Sequence, residues 1–319
     1  MRTVVFGGTG FLGSHVADIL TDQKHDVVIF DIVKSHYQRS TQQMIVANIL
    51  DFDAVLDAVA GADYVYHFAG VADIGDASER PIETIKNNIL GTINVLEACR
   101  INKIKRFIYA STMYVYSKHG SFYRSSKQSV ELFIENYQQI YNLNYTVLRY
   151  GSLYGRRANW FNFIHKAIRQ ALTEGRIIRE GDGEEIRDYI NVIDAAKASV
   201  DILREEFSNK YVIISGVQTI KVKDLLRMIK EILSEKIEVQ YVDVKSEGSH
   251  YQVTPYSFRP KIAIKYLPEY YYDLGQGILD CIHEIYEELE GLKITNDNHI
   301  ESYFVNELKQ NILASTVRE

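Results

Sequence analysis

A strand that breaks into Gly7-Gly8-Thr9-Gly10-Phe11-Leu12-Gly13 and then into a helix constrains this chain more than any other stretch. Thr3-Val4-Val5-Phe6 is a short apolar run of the kind a buried strand shows. Beyond the glycines, Leu12, Val16, Ile19 and Leu20 recur at helical spacing. Glycines permit the tight turn and a close approach to the backbone. The helix N-terminus offers free N–H groups to a pyrophosphate. The spacing is Gly-x-x-Gly-x-x-Gly rather than Gly-x-Gly-x-x-Gly. A purely structural turn is the alternative, and the flanking strand and helix favour a dinucleotide-binding unit.

The strands that follow fit that unit. Val27 to Phe30 forms the second, closed by Asp31. An acid about 20 residues past the glycines accepts hydrogen bonds from the adenosine ribose hydroxyls. It also repels a 2′-phosphate, so NAD is expected over NADP; Ile32 follows it. Met44 to Ala47 is a third strand, followed by Asn48-Ile49 within reach of an adenine edge. Tyr64 to His67 is a fourth and runs into Phe68-Ala69-Gly70-Val71, with His67 read as a core histidine. An amphipathic helix covers Ile89 to Cys99, with Asn88 near its start. Phe107 to Ala110 is the fifth strand and places Ser111 and Thr112 at its carboxyl end, where open parallel sheets bind ligands. Tyr145 to Leu148 is a sixth, and Val212 to Ile214 returns later. The alternation reads as an α/β fold with a doubly wound parallel sheet.

Tyr123 and Lys127 lie four residues apart, one helical turn on one face. An ammonium beside a phenol favours the phenolate, and such a phenol can take a proton from an alcohol while hydride leaves the carbon. With 23 tyrosines in the chain, the pair alone is a weak signal. It gains weight from the glycine turn and from the hydroxyl of Thr112.

Composition removes other classes. The 319 residues carry 36 basic and 42 acidic side chains, net −6, which gives no basic surface for nucleic acid. No apolar run approaches the ~18 residues of a membrane span. The N-terminus enters a strand directly, so no signal peptide is expected. Cys99 and Cys281 sit in helical patterns and read as buried thiols, consistent with the cytoplasm. No metal site is expected.

Together these residues resemble the extended short-chain dehydrogenase/reductase family, in its nucleotide-sugar epimerase/dehydratase branch. The likeness runs from residue 1 to about 290. It rests on Gly7/Gly10/Gly13, Asp31, Phe68-Ala69-Gly70, Asn88 within Asn-x-x-Gly-Thr, Ser111-Thr112 before Val115-Tyr116, and Tyr123/Lys127. Leu148-Arg149-Tyr150, Tyr154-Gly155, Gly181-Asp182-Gly183 and Arg187-Asp188-Tyr189-Ile190 extend it. The resemblance implies a Rossmann domain over 1–155 with a return segment at 186–216. A smaller C-terminal substrate lobe would span 156–185 and 217–290, with an added tail at 291–319. It implies NAD as cofactor, a nucleotide-diphosphate sugar as substrate, a homodimer, and a place in surface polysaccharide biosynthesis. The dimer would pair helices containing Asn94–Cys99 and Ser129–Tyr137, through apolar positions such as Ile93, Leu96, Leu132 and Ile134.

By the same resemblance Tyr123 is the base, Thr112 orients the sugar hydroxyl and Lys127 holds the nicotinamide ribose. Gly7, Gly10, Phe11, Leu12, Gly13, Asp31, Ile32, Asn48, Ile49, Phe68, Ala69, Gly70, Val71, Asn88, Ser111 and Tyr150 join Tyr123 and Lys127 around the cofactor. Asn159, Arg187 and Tyr251 join Thr112 around the substrate. The implied reaction is oxidation at sugar C4, as a 4-epimerase through a 4-keto intermediate; a 4-dehydrogenase and a non-catalytic NAD sensor are the alternatives. The stretch between Thr112 and Tyr123 is shorter than the family's. Met113-Tyr114 stands where the 4,6-dehydratases carry Asp-Glu, and Ser152 stands for a usual asparagine. Residues 156–180 are basic, through Arg156, Arg157, Lys166, Arg169 and Arg176, either as a solvated helix or to attract a diphosphate. Tyr270-Tyr271-Tyr272 reads as packing. Helices are expected at Leu225 to Leu233 and Ile278 to Leu289, and an added terminal one at Ile300 to Ile312.

Overall fold

The computed structural model describes residues 1–233, 236–243, 264–266 and 270–295, with the last four as backbone only. The strands are β1 (Arg2–Phe6), β2 (Asp26–Asp31), β3 (Gln43–Val46), β4 (Tyr64–His67), β5 (Arg106–Thr112), β6 (Tyr145–Tyr150), β7 (Ser152–Tyr154), β8 (Arg176–Glu180), β9 (Ile186–Asn191), β10 (Lys210–Ile214), β11 (Thr219–Lys221), β12 (Glu238–Val242) and β13 (Ile264–Lys265). The helices are α1 (Phe11–Asp22), α2 (Phe52–Val59), α3 (Ile74–Glu79), α4 (Pro81–Ile85), α5 (Gly91–Ile101), α6 (Ser121–Tyr141), α7 (Phe163–Glu174), α8 (Val192–Asp201), α9 (Val222–Leu233) and α10 (Leu274–Thr295).

The chain divides into two compact units. The first comprises Met1–Leu153, Asp188–Gln218 and the described residues of 248–271; the second comprises Tyr154–Arg187 and the described residues of 219–247 and 272–295. In the first unit eight strands run in the order β13-β10-β6-β5-β4-β1-β2-β3, and every pairing is parallel. The sheet is buried on both faces, which is why its strands read as unbroken apolar runs. Val4, Phe6, Val28, Phe30, Val65, Phe107 and Tyr109 pack with α2, α5 and α6 on one face. Val5, Val27, Ile29, Tyr66, Ile108 and Leu148 pack with α1 and α8 on the other. Strand order reverses between β1 and β4, so the crevice of a doubly wound sheet opens at their carboxyl ends. Gly7, Phe68 and Thr112 all lie at those ends of their strands.

In the second unit the basic stretch is not one helix. Gly175, at φ +67°, ends α7 in the left-handed conformation that favours glycine. The chain then turns into β8, which pairs in parallel with β12. Helices α9 and α10 cover the two expected ranges, while Ile300 to Ile312 falls outside the described residues. Cys99 and Cys281 are both buried free thiols. Among the described residues no helix is long and apolar enough to cross a membrane, and none gather as a metal-binding group.

Candidate active site

The glycine turn is built by contact. Gly7 adopts φ +76°, and a Cβ there would lie 2.5 Å from the Ala69 nitrogen. At Gly13 a Cβ would lie 2.2 Å from the Gly7 carbonyl. These two glycines let β1, the segment after β4 and α1 converge. Gly10 differs: a Cβ there would meet only the Gly7 carbonyl, at 3.2 Å, so its bare side faces open space. Gly10 is also the N-cap of α1, with no side-chain cap and no acid in the first turn. Asp51, Asn162 and Asn191 cap α2, α7 and α8 instead. Open space beside uncapped N–H donors fits a pyrophosphate.

Asp31 closes the adenosine side. One carboxylate oxygen accepts from the Thr9 N–H at 3.1 Å and the Thr9 hydroxyl at 2.6 Å, and the other from the Ile32 N–H at 2.8 Å. Ile32 is 64% exposed, and Asn48 is exposed with its side chain accepting from the Leu50 N–H at 2.9 Å. Leu12, Ile49 and Tyr150 are core residues; the Tyr150 hydroxyl pairs with Ser199 at 2.6 Å. Their side chains are committed to packing, which leaves only their backbone atoms for a ligand.

Asn88 sits in a π-helical turn, Lys86–Leu90, between α4 and α5. Such turns displace one residue from helical register and recur at functional sites. The Asn88 amide oxygen accepts from the Val71 N–H at 2.7 Å, and its nitrogen donates to the Val71 carbonyl and the Ser126 hydroxyl, each at 3.0 Å. Ser126 in turn donates to the Tyr123 carbonyl at 2.8 Å. One buried amide thus joins the segment after β4 to the helix that bears Tyr123. Gly70, at φ +143°, passes so near that a Cβ would lie 2.6 Å from the amide oxygen.

Strand β5 ends at Thr112, whose hydroxyl oxygen accepts from the Tyr114 N–H at 3.2 Å and caps a single 3₁₀ turn, Met113–Tyr116. The short connector reaches α6 through Gly120 and Ser121 at φ +101° and +47°. Gln128 donates to the Val115 carbonyl at 2.8 Å, and Arg124 to those of Ser117 and Lys118 at 3.1 and 2.8 Å. The connector is therefore pinned to α6. The Tyr114 ring meets the Tyr123 ring edge-on at 6.4 Å.

Lys127 is buried. Its ammonium donates to the Ala110 carbonyl at 2.7 Å and lies 4.8 Å from the Tyr109 ring and 5.8 Å from the Tyr123 ring. Burial lowers its pKa to about 8, opposed by the charge of Glu131. It is still mainly protonated at neutral pH, and a cation there favours the Tyr123 phenolate. His67 is a core histidine: burial, then the Lys127 charge, lower its pKa to about 3. Thr92 gives its own proton to the Asn88 carbonyl at 2.6 Å, so it accepts from His67 Nε2 at 2.9 Å, which fixes the tautomer.

The sequence profile of the NAD dependent epimerase/dehydratase family matches residues 3–214. The chain belongs to that family. It is 30% identical over 273 residues to a putative UDP-glucose 4-epimerase of Methanocaldococcus jannaschii, covering 78% of this chain and 88% of that protein. It is 28% identical to a UDP-N-acetyl-alpha-D-glucosaminuronate decarboxylase of Bacillus cytotoxicus, covering 78% and 85%. The fold is shared with UDP-glucose 4-epimerase of Thermotoga maritima, solved with UDP-glucose, at a TM-score of 0.80 and 24% identity, covering 91% of this chain and all of that one. As a member of this NAD-dependent epimerase/dehydratase family the chain is an enzyme, and its cofactor is NAD.

Two residues of the second unit were expected at the substrate. Arg187 is buried and donates to the Ile186 carbonyl at 3.1 Å. Asn159 is exposed, with its carbonyl accepting from the Asn162 N–H at 2.9 Å. Lys166 and Arg169 lie exposed on α7, while the Arg157 N–H donates to both Glu284 carboxylate oxygens at 2.9 and 3.0 Å. Tyr251 lies outside the described residues. Sequence reasoning passed over Glu131 and the role of Arg149. Part of the signal was present: an arginine inside the apolar run of β6 needs a partner for its charge, although its spacing does not name which one.

Proposed function

We propose that the chain oxidises C4 of a nucleotide-diphosphate sugar and returns the hydride to the opposite face, as a 4-epimerase. The reading rests chiefly on one observation. A buried Lys127 ammonium lies beside Tyr123, at the end of the strand that carries Thr112. Bound NAD supplies the acceptor and donor of hydride. Tyr123 takes the C4 hydroxyl proton and later gives it back; the Thr112 hydroxyl orients that oxygen; Lys127 keeps positive charge beside the phenolate. We assign Gly7, Gly10, Gly13 and Asp31 to the pyrophosphate and adenosine ribose, and Asn159 and Arg187 to the substrate diphosphate.

Names among the relatives support the class of reaction and substrate. Met113 and Tyr114 offer no carboxyl pair beside Thr112, which favours no elimination of water at C5–C6. A 4-dehydrogenase is the second reading, favoured by the short connector. We also assign the chain to the cytoplasm, from its two unpaired thiols.

The test is incubation with a panel of UDP- and dTDP-sugars in heavy water, followed by NMR and mass spectrometry. A C4 epimer is the expected product. A 4-keto-6-deoxy sugar would overturn the reading. Tyr123→Phe should cost about 10²–10⁴ in rate with NAD binding kept; an unchanged rate would remove Tyr123 as the base.

A further inference from the structure

Below the catalytic pair lies a charged cluster that the proposed chemistry does not use. Glu131 follows Lys127 by four residues and so stands one turn along the same face of α6. It is buried, as is Arg149 on β6. Arg149 grips it with two parallel hydrogen bonds, Nε to Oε1 at 3.0 Å and Nη2 to Oε2 at 2.6 Å. Ser111 donates to the same Oε1 at 2.6 Å. The Arg149 guanidinium lies 4.7 Å from the Tyr116 ring and 4.4 Å from the Tyr211 ring, and it also donates to the Tyr116 hydroxyl.

This carboxylate therefore bonds Ser111 directly and reaches Tyr116 through Arg149. Ser111 is the residue before Thr112. Ala110, before Ser111, accepts the Lys127 ammonium. Tyr116 ends the turn that Thr112 caps. A buried ion pair is a poor stabiliser, since apolar side chains of similar volume do as well. What such a pair does provide is fixed geometry and fixed charge.

We propose that Glu131 is a positioning residue for the catalytic pair. Clamped by Arg149 and Ser111, it holds a negative charge one turn from the Lys127 ammonium and sets the end of β5 against α6. The inference rests on the assignment of Tyr123 and Lys127 given above. Lys127 faces His67 from β4, Tyr109 from β5, and Tyr123 and Glu131 from its own helix. His67 is held neutral by burial. The two tyrosines are neutral when protonated. Arg149 is bound to Glu131 by an ion pair at 2.6 Å. Glu131 is thus the negative charge that keeps the buried ammonium protonated.

The experiment reads Lys127 directly. Protein with ¹³Cε-labelled lysine is titrated by NMR, with the Lys127 resonance identified by its loss in Lys127→Met. Glu131→Gln keeps the shape and the acceptor for Ser111 but removes the charge. The Lys127 midpoint should fall by about one pH unit, and the alkaline limb of kcat should move down with it. Glu131→Gln leaves Arg149 unpaired, so the double variant Glu131→Gln/Arg149→Met serves as a second arm with both buried charges gone. It should fold and still show a lowered midpoint. A midpoint equal to wild type in every variant that folds would overturn the proposal, because a merely structural Glu131 would alter melting alone. If no nucleotide sugar is turned over, the proposed function fails while the titration still decides this inference.

Discussion

Asp31 holds Thr9 by two bonds to one carboxylate oxygen, from the backbone N–H and from the hydroxyl. The end of β2 is thereby tied to the glycine turn, and the carboxylate cannot swing away from whatever lies against the turn. A 2′-phosphate placed there would meet a fixed negative charge.

NAD should accordingly bind more tightly than NADP, by about 1–3 kcal/mol, by analogy with the cost of leaving a buried polar group unsatisfied. Asp31→Asn should narrow the gap while keeping the Thr9 contacts in part. Calorimetric titration with both nucleotides checks this, and equal or tighter binding of NADP by the wild type would refute it.

We propose a homodimer through α6, without two of the apolar positions the sequence suggested. Leu96 and Ile134, two of the apolar positions named for a partner, are fully buried in the chain's own core. Leu132 on α6 is 59% exposed, and Phe133 beside it 39%. Leu132→Glu/Phe133→Glu should therefore give monomers in light scattering, against wild type at twice the 36.7 kDa chain mass. Wild type running at the monomer mass at micromolar concentration would end the idea.

Acid should destabilise the protein through His67. Its pKa falls from 6.5 unfolded to about 3 folded. Between those values the unfolded chain takes up a proton that the folded chain refuses, so stability falls as pH drops through that window. The loss is roughly 2 kcal/mol by pH 5. His67 packs among Phe6, Phe107 and Tyr109, so His67→Phe suits the site. That variant should lose less stability than wild type between pH 6.5 and 4 in denaturant melts. Identical acid slopes would show that other groups set the acid limit.

The sheet was readable because a strand buried on both faces must be apolar throughout, as Val27 to Phe30 is. The turn at Gly7 to Gly13 was readable because few backbones tolerate that path. Side-chain direction was not. Tyr150 looked like a cofactor contact, yet its ring belongs to the core beside α1 and α8. Leu96 and Leu132 look alike as letters, and only the packing of α5 and α6 separates the inward from the outward one. Residues 156–180 read either as a solvated basic helix or as a stretch that attracts a diphosphate, because charge carries no period; Asn162 and Gly175 mark where α7 begins and ends. Arg149 and Glu131 are 18 positions apart, and no local pattern joins two residues that meet only when α6 packs against β6.

The Lys127 site also predicts a conflict between stability and activity. Burial lowers the Lys127 pKa from 10.5 to about 8. Below pH 8 both states hold the proton, and the folded state bears the full cost of the buried charge. Between pH 8 and 10.5 the folded chain releases a proton that the unfolded chain keeps, so stability from this group rises with pH across that window. The net cost at pH 7 is roughly 3 kcal/mol. Lys127→Met removes the charge and keeps most of the volume. It should raise the melting temperature at pH 7 by a few degrees, on the order of 2–4 °C for each kcal/mol. The advantage over wild type should shrink as pH rises from 8 toward 10.5, while turnover falls at every pH because Tyr123 has lost its cation. Melting curves across that range decide it. A variant less stable than wild type at pH 7, or a gap that does not change with pH, would mean that the ammonium is not held at a cost.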